Sequence, residues 1–198
     1  MSQLGGELVS TFTEQVTHLV LPTGKGQKAS RTLKYLQGIV IGCAVISQDW
    51  VVVCAEQSKY VDVEDYLLVG DKVALGAPKA AYLDKNKASL FKDCVVSFIG
   101  DFQAPCPPRE ELENLIVLGS GKLHKENDAV EAHKLHYVVC DASTSPEEVK
   151  EATEGQAKAH IVTHHWLLDS LSHYALQHPK GYLFFPPVVF QTQMSVDF

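Results

Sequence analysis

The chain has 198 residues, enough for one sizeable core or two small ones, and its 45% hydrophobic and 21% charged content suits a chain that folds in water. With 17 Lys and Arg against 24 Asp and Glu, the net charge of −7 gives no broad attraction to a phosphate backbone, so any bound anion must be caught locally. No apolar run approaches the roughly 20 residues of a membrane span, the Met1-Ser-Gln-Leu-Gly-Gly start has no secretory pattern, and five scattered cysteines without a CxxC read as reduced, buried thiols.

Taken in chain order, Leu4-Gly-Gly-Glu-Leu-Val suits a helix end, and Val16-Thr-His-Leu-Val-Leu21 predicts a buried strand. Gly24-Lys-Gly-Gln-Lys28 sits where a phosphate-cradling loop would, but lacks the GxxxxGK[ST] spacing and reads as a surface turn. An amphipathic helix carrying Arg31 and Lys34 follows, and then the run Val45-Ile46-Ser47-Gln-Asp-Trp50. That run predicts a strand closing on a hydroxyl residue, an N-cap at Ser47 and a helix whose Trp faces inward. Residues 70–88, polar and punctuated by Gly and Pro, read as a linker.

Beyond the linker come a strand over Cys94–Ile99 and a helix over Arg109–Leu118, introduced by Pro107-Pro108. Leu118-Gly-Ser-Gly-Lys-Leu precedes a strand over Leu135–Cys140. Ser145-Pro-Glu-Glu148 is a capping box that opens a short helix toward Glu154; its other reading is a proline-directed phosphorylation site. The run Ile161-Val162-Thr163-His-His-Trp166 repeats the earlier strand and Trp helix, with Thr163 as the cap.

The two Trp residues lie 116 positions apart, and the glycine and strand signals upstream of each correspond. The expectation is therefore α/β, with two tandem repeats, each a small parallel sheet flanked by helices. The first, over 1–69, has no counterpart of the opening strand and helix of the second, over 89–188; a tail follows over 189–198.

With the Trp helices and glycine pairs in place, three stretches resemble the tandem BRCT family. They are Arg31-Thr-Leu-Lys-Tyr-Leu-Gln-Gly-Ile39, Gly70-Asp-Lys-Val with Gly76-Ala-Pro-Lys79, and Val162-Thr-His-His-Trp-Leu-Leu-Asp-Ser170. The resemblance implies a nuclear phosphoserine-peptide reader of the DNA-damage response. Its partners would be phosphorylated DNA-repair proteins, read through a phosphoserine and an apolar residue three positions later, without sequence-specific nucleic-acid binding, a membrane or a cofactor. Lys34 matches the family's phosphate cation. Arg31 matches the residue that pairs with the peptide main chain and meets carboxylates of the second repeat, of which Asp169 is one. His165 stands where the family has a second acid. Leu36, Cys106 and Leu168 match the apolar pocket, with Leu36 in place of an aromatic. The family's phosphate-binding Ser and Gly belong to the first strand that this sequence lacks, so the expected binding is impaired.

Plainer readings stand beside these. Arg31 and Lys34 also suit a solvated helix face or an inter-repeat salt bridge, and Leu36 and Leu168 suit packing alone. A phosphate-independent scaffold, bound through the second repeat or the inter-repeat groove, is the alternative function. His133-x-x-His136 lacks the Cys or carboxylate that would complete a zinc set, no RING-type array supports a ubiquitin ligase within the chain, and no catalytic set supports an enzyme.

Overall fold

The computed structural model describes residues 4–124, 133–153 and 159–185; the expected tail over 189–198 and the helix end near Glu154 lie outside these. The first repeat contains strand β1 (His18–Leu21), helix α1 (Leu33–Ile41), strand β2 (Ala44–Ser47) and helix α2 (Asp49–Gln57). Helix α3 (Ala77–Leu83) follows. The second repeat runs β3 (Cys94–Ile99), α4 (Arg109–Leu118), β4 (Lys122–Leu123), β5 (Leu135–Cys140), α5 (Pro146–Thr153), β6 (His160–Thr163) and α6 (His165–His173). Both sheets are parallel throughout: β1 pairs with β2, and the second sheet has the order β4-β3-β5-β6. This is the expected α/β architecture of two repeats.

Local chemistry sets the helix ends. Thr32 caps α1, its hydroxyl accepting from the Tyr35 amide at 3.3 Å, and Gly42 closes it at φ 68°. A side chain at Gly42 would also bring a Cβ within 2.7 Å of the Ala81 carbonyl, so glycine is required twice over. Ser47 accepts from the Asp49 amide at 3.0 Å to start α2. The capping box at α5 is reciprocal: the Ser145 amide donates to Glu148 at 2.7 Å, and the Glu148 amide donates to the Ser145 hydroxyl at 3.2 Å. Donation from the Ser145 amide first, then from its hydroxyl, holds the Glu148 carboxyl below its usual range.

The segment read as a linker is structured. Its helix α3 begins with Pro78 in the first turn and buries Ala77, Pro78 and Ala81 against α1 and α6. Three small side chains bury little area, which is why composition reads as linker, yet they allow the close helix approach that this seam needs.

The 116-residue repeat survives in detail. Trp50 donates its indole N–H to the Val61 carbonyl at 3.0 Å, and Trp166 donates to the Gln177 carbonyl at 2.9 Å. Each Trp is buried and each ring stacks on the neighbouring strand, Trp50 on His18 at 5.1 Å and Trp166 on Tyr137 at 3.9 Å. Each repeat also folds its own chain back along its last strand. Leu67 bridges Ile46 and Leu183 bridges Val162, both antiparallel. The edges of β2 and β6 are thus covered.

The opposite edges differ. In the second repeat β5 pairs with β3 along its whole length, whereas β1 has β2 as its one neighbour among the described residues. Five residues of β5, His136 to Cys140, are buried, but His18 to Leu21 alternate between exposed and half-buried. Leu8 and Val9, which follow the first glycine pair as β4 follows the second, are 95% and 51% exposed. Apolar side chains left in water and unpaired strand amides imply local openings of low free energy. Hydrogen exchange measured by NMR should therefore show the β1 amides exchanging at least tenfold faster than those of β5; equal protection would refute the point.

Candidate functional site

The two repeats meet where α1 packs against α3, α4 and α6. Most of α1, from Tyr35 to Ile41, is buried in one apolar cluster that includes Leu115 and Ile116 of α4 and Leu167 and Leu171 of α6. Polar groups gather at the N-terminal end of α1, beside this dry seam.

Arg31, two residues before α1, keeps only 12% of its side chain exposed. Its Nη2 lies 2.5 Å from Asp169 Oδ1, and its Nε lies 4.0 Å from Asp71 Oδ2. Asp71 is itself buried and strongly held: Oδ1 accepts from the Val73 and Ala74 amides at 2.6 and 3.0 Å, and Oδ2 accepts from the Ser172 hydroxyl at 2.6 Å. Tyr182 donates to Asp169 Oδ2 at 3.2 Å. A second bridge nearby runs from the Tyr174 hydroxyl to Asp84 at 2.9 Å. One cation from the first repeat therefore faces an acid from the linker and an acid from α6, so the charges are paired where burial makes pairing necessary.

Of the residues singled out in the sequence, Arg31 and Asp169 are brought together directly. Leu36 and Leu168 are 3% and 8% exposed and belong to the same central cluster, against which half-buried Cys106 packs. Burial raises the Cys106 thiol to about 11, with Asp141 adding to the rise, so it stays protonated. Lys34 stands apart on the exposed face of α1, three residues after Arg31, with no carboxylate in ion-pair range among the described residues. His165 is exposed and its ring lies 4.2 Å from that of His164. Asp71, Ser172 and Tyr182 escape the reading of the sequence. Asp71 sits in a quoted motif, Gly70-Asp-Lys-Val, but nothing in its neighbours says that the acid is buried.

The end of β3 holds a second polar cluster. Asp141 Oδ2 accepts from the Phe102 amide at 2.5 Å, and Oδ1 accepts from the Ser143 amide and hydroxyl at 2.8 and 2.6 Å and from Thr144 at 3.3 Å. Burial opposes its ionisation, but these bonds win and hold the carboxyl below the usual range. Gly100, at φ 107°, admits the carboxylate: a Cβ there would lie 2.3 Å from Asp141 Oδ1.

Of the His133-x-x-His136 pair, His136 is buried and His133 is exposed. His136 Nε2 lies 3.2 Å from the Ser97 hydroxyl and its ring 5.2 Å from His124. Among the described residues, no group of three His, Cys, Asp or Glu is close enough to hold a metal ion.

Two α/β repeats with Trp-bearing terminal helices, joined face to face through α1 and a charged seam, give this chain a fold of the tandem BRCT kind. Residues 1–50 match the twin BRCT domain family. The chain is 30% identical over 184 residues to the breast cancer type 1 susceptibility protein homolog of Mus musculus; the match covers 89% of the chain and 10% of that protein. The chain thus spans about a tenth of the length of that relative. Two solved structures share the fold. The BRCT5-BRCT6 domains of S. pombe Brc1 superpose with a TM-score of 0.58 at 20% identity, covering 83% of this chain and 81% of that one. Rtt107p, solved in complex with a phosphorylated histone, superposes with a TM-score of 0.59 at 12% identity, covering 93% and 83%.

Two outcomes follow from the charges. Removing one partner of the seam pair strands a partly buried guanidinium, so Asp169→Ala should cost about 2–3 kcal/mol in urea denaturation; a loss below about 0.5 kcal/mol would mean that the pair is solvated. Burial, helped by neighbouring rings, lowers His136 and His164 from 6.5 to about 4. The unfolded chain therefore takes up protons near pH 6.5 that the folded chain refuses until about pH 4. Stability should be fully present above that window and fall as pH drops through it, and His136→Gln should flatten the slope in urea midpoints taken from pH 7 to 5.

Proposed function

We propose that this chain is a phosphoserine-peptide-binding interaction module of the DNA-damage response, acting in the nucleus. The observation that carries the reading is the pairing of an exposed, unneutralised cation with an anchored one. Lys34 faces solvent three residues after Arg31, whose guanidinium is already engaged by Asp169. A phosphate of charge near −2 would gain a charge-assisted contact at Lys34, and the fixed Arg31 segment would present its backbone to the peptide chain. The apolar residue three positions after the phosphoserine would rest at the rim of Leu36, Cys106 and Leu168. Two of these are nearly closed to solvent, so the contact should be shallow. The fold neighbour Rtt107p, solved with a phosphorylated histone, supports the ligand class. DNA-repair proteins phosphorylated on serine are the expected partners.

Affinity should be modest. Among the described residues, Lys34 faces solvent without a carboxylate partner, and β1 has no strand on its open edge to supply a hydroxyl or amide beside it. Fluorescence polarisation with a phosphoserine peptide carrying an apolar residue three positions later, against its unphosphorylated twin, tests the reading. The phosphorylated form should bind more tightly, and Lys34→Met should reduce that preference about tenfold. Equal binding of both peptides, unchanged by Lys34→Met, would favour a phosphate-independent scaffold acting through the second repeat or the groove.

A further inference from the structure

Two polar atoms in the seam have no hydrogen-bond partner among the described residues although both are cut off from solvent: Arg31 Nε and the Tyr35 hydroxyl. Their residues lie four apart in sequence, on either side of the Thr32 cap. Tyr35 is fully buried, at 0% exposure. Its phenol is pushed up first by burial, then by the charge of Asp71, with Arg31 opposing, so its oxygen lies within the fields of both. Two unpartnered donors are thus buried at the seam, one of them 4.0 Å from the Asp71 carboxylate and the other within that carboxylate's field.

Asp71 can accept more than it does. Among the described residues, its Oδ1 takes two backbone amides and its Oδ2 takes only the Ser172 hydroxyl, which leaves a lone pair on the oxygen nearest Arg31. The 4.0 Å from Arg31 Nε to Asp71 Oδ2 is too long for a hydrogen bond but suits two groups that share a third. Burial limits the size of that third group, since a peptide or a phosphate cannot reach a residue with no accessible surface.

We propose that a single ordered water is a structural component of the inter-repeat seam, accepting from Arg31 Nε and Tyr35 and donating to Asp71 Oδ2. Such a molecule has the two to four polar partners that buried waters need. It also completes a continuous polar chain from α1 through the linker acid to Ser172 of α6, tying the two repeats together where apolar packing gives way to charge. The site is independent of any phosphopeptide and stands whether or not the chain binds one.

Tyr35→Phe separates the possibilities because it removes one oxygen and nothing else. If the hydroxyl is satisfied by a water, the variant loses a buried hydrogen bond, and its folding equilibrium constant in urea should fall about fivefold. If the hydroxyl is an orphan, deleting it relieves a desolvation cost and the variant should be as stable as the parent or more so, which would overturn the proposal. A crystal structure of the unaltered chain at about 1.5 Å, resolving ordered solvent, gives a second and independent reading. A solvent peak within hydrogen-bond distance of Tyr35 Oη and Asp71 Oδ2 is expected, and a site with no such peak would overturn the proposal by itself.

Discussion

Placing a guanidinium at a nearly dry boundary between two folded units obliges those units to supply its counter-charges, and the arrangement of this chain follows from that demand. Arg31 draws one acid from the linker and one from the last helix, and each acid is fixed in turn by other groups, Asp71 by two amides and Ser172, Asp169 by Tyr182. The apolar side of α1 contributes the larger share of burial, since Tyr35 to Ile41 leave almost no surface open. Area burial is not directional, however, and would tolerate small rotations of one repeat on the other. The charge cluster tolerates fewer, because each rotation leaves a buried donor or acceptor alone.

Repetition explains why the rest of each unit needs little further specification. A Trp that donates to a carbonyl eleven residues on, and a return segment that bridges the last strand twenty-one residues on, occur in both repeats. Both contacts are local in sequence, so each unit can close its own outer edge before the seam forms. The two sheets diverge on the other side, where β5 has β3 as a second partner and β1, among the described residues, has none beyond β2.

Much of this was legible in the sequence. Strands over Cys94–Ile99 and Leu135–Cys140 and the helix over Arg109–Leu118 carry their own period and punctuation, and the structure places them at the same residues. The Trp helices and the capping box at Ser145 were legible for the same reason, because cap chemistry is short-ranged. Helix α3 was not legible as an element, since Ala77 and Ala81 are buried by neighbours far along the chain and bear no amphipathic signal of their own. Resemblance pointed to Arg31, Asp169 and Lys34, but burial of Asp71 and its bond to Ser172, 101 residues away, depend on tertiary packing that no local pattern encodes. The nearly closed Leu36 and Leu168 show the same limit: type was readable, accessibility was not.

The carboxylate of Asp141 has a consequence for the pair as a whole. At the end of β3 the amides and hydroxyls of Phe102, Ser143 and Thr144 converge on a negative group, as they would around a bound oxyanion, but the chain provides that group itself. Any external anion approaching there meets a like charge and donors already spent. Lys34, at the N-terminal end of α1 in the first repeat, has no such internal acid beside it among the described residues. The two units are thus electrically unlike, one with its donors saturated by an internal carboxylate and the other with an exposed cation, and the molecule has a head and a tail for any ligand with a single negative end.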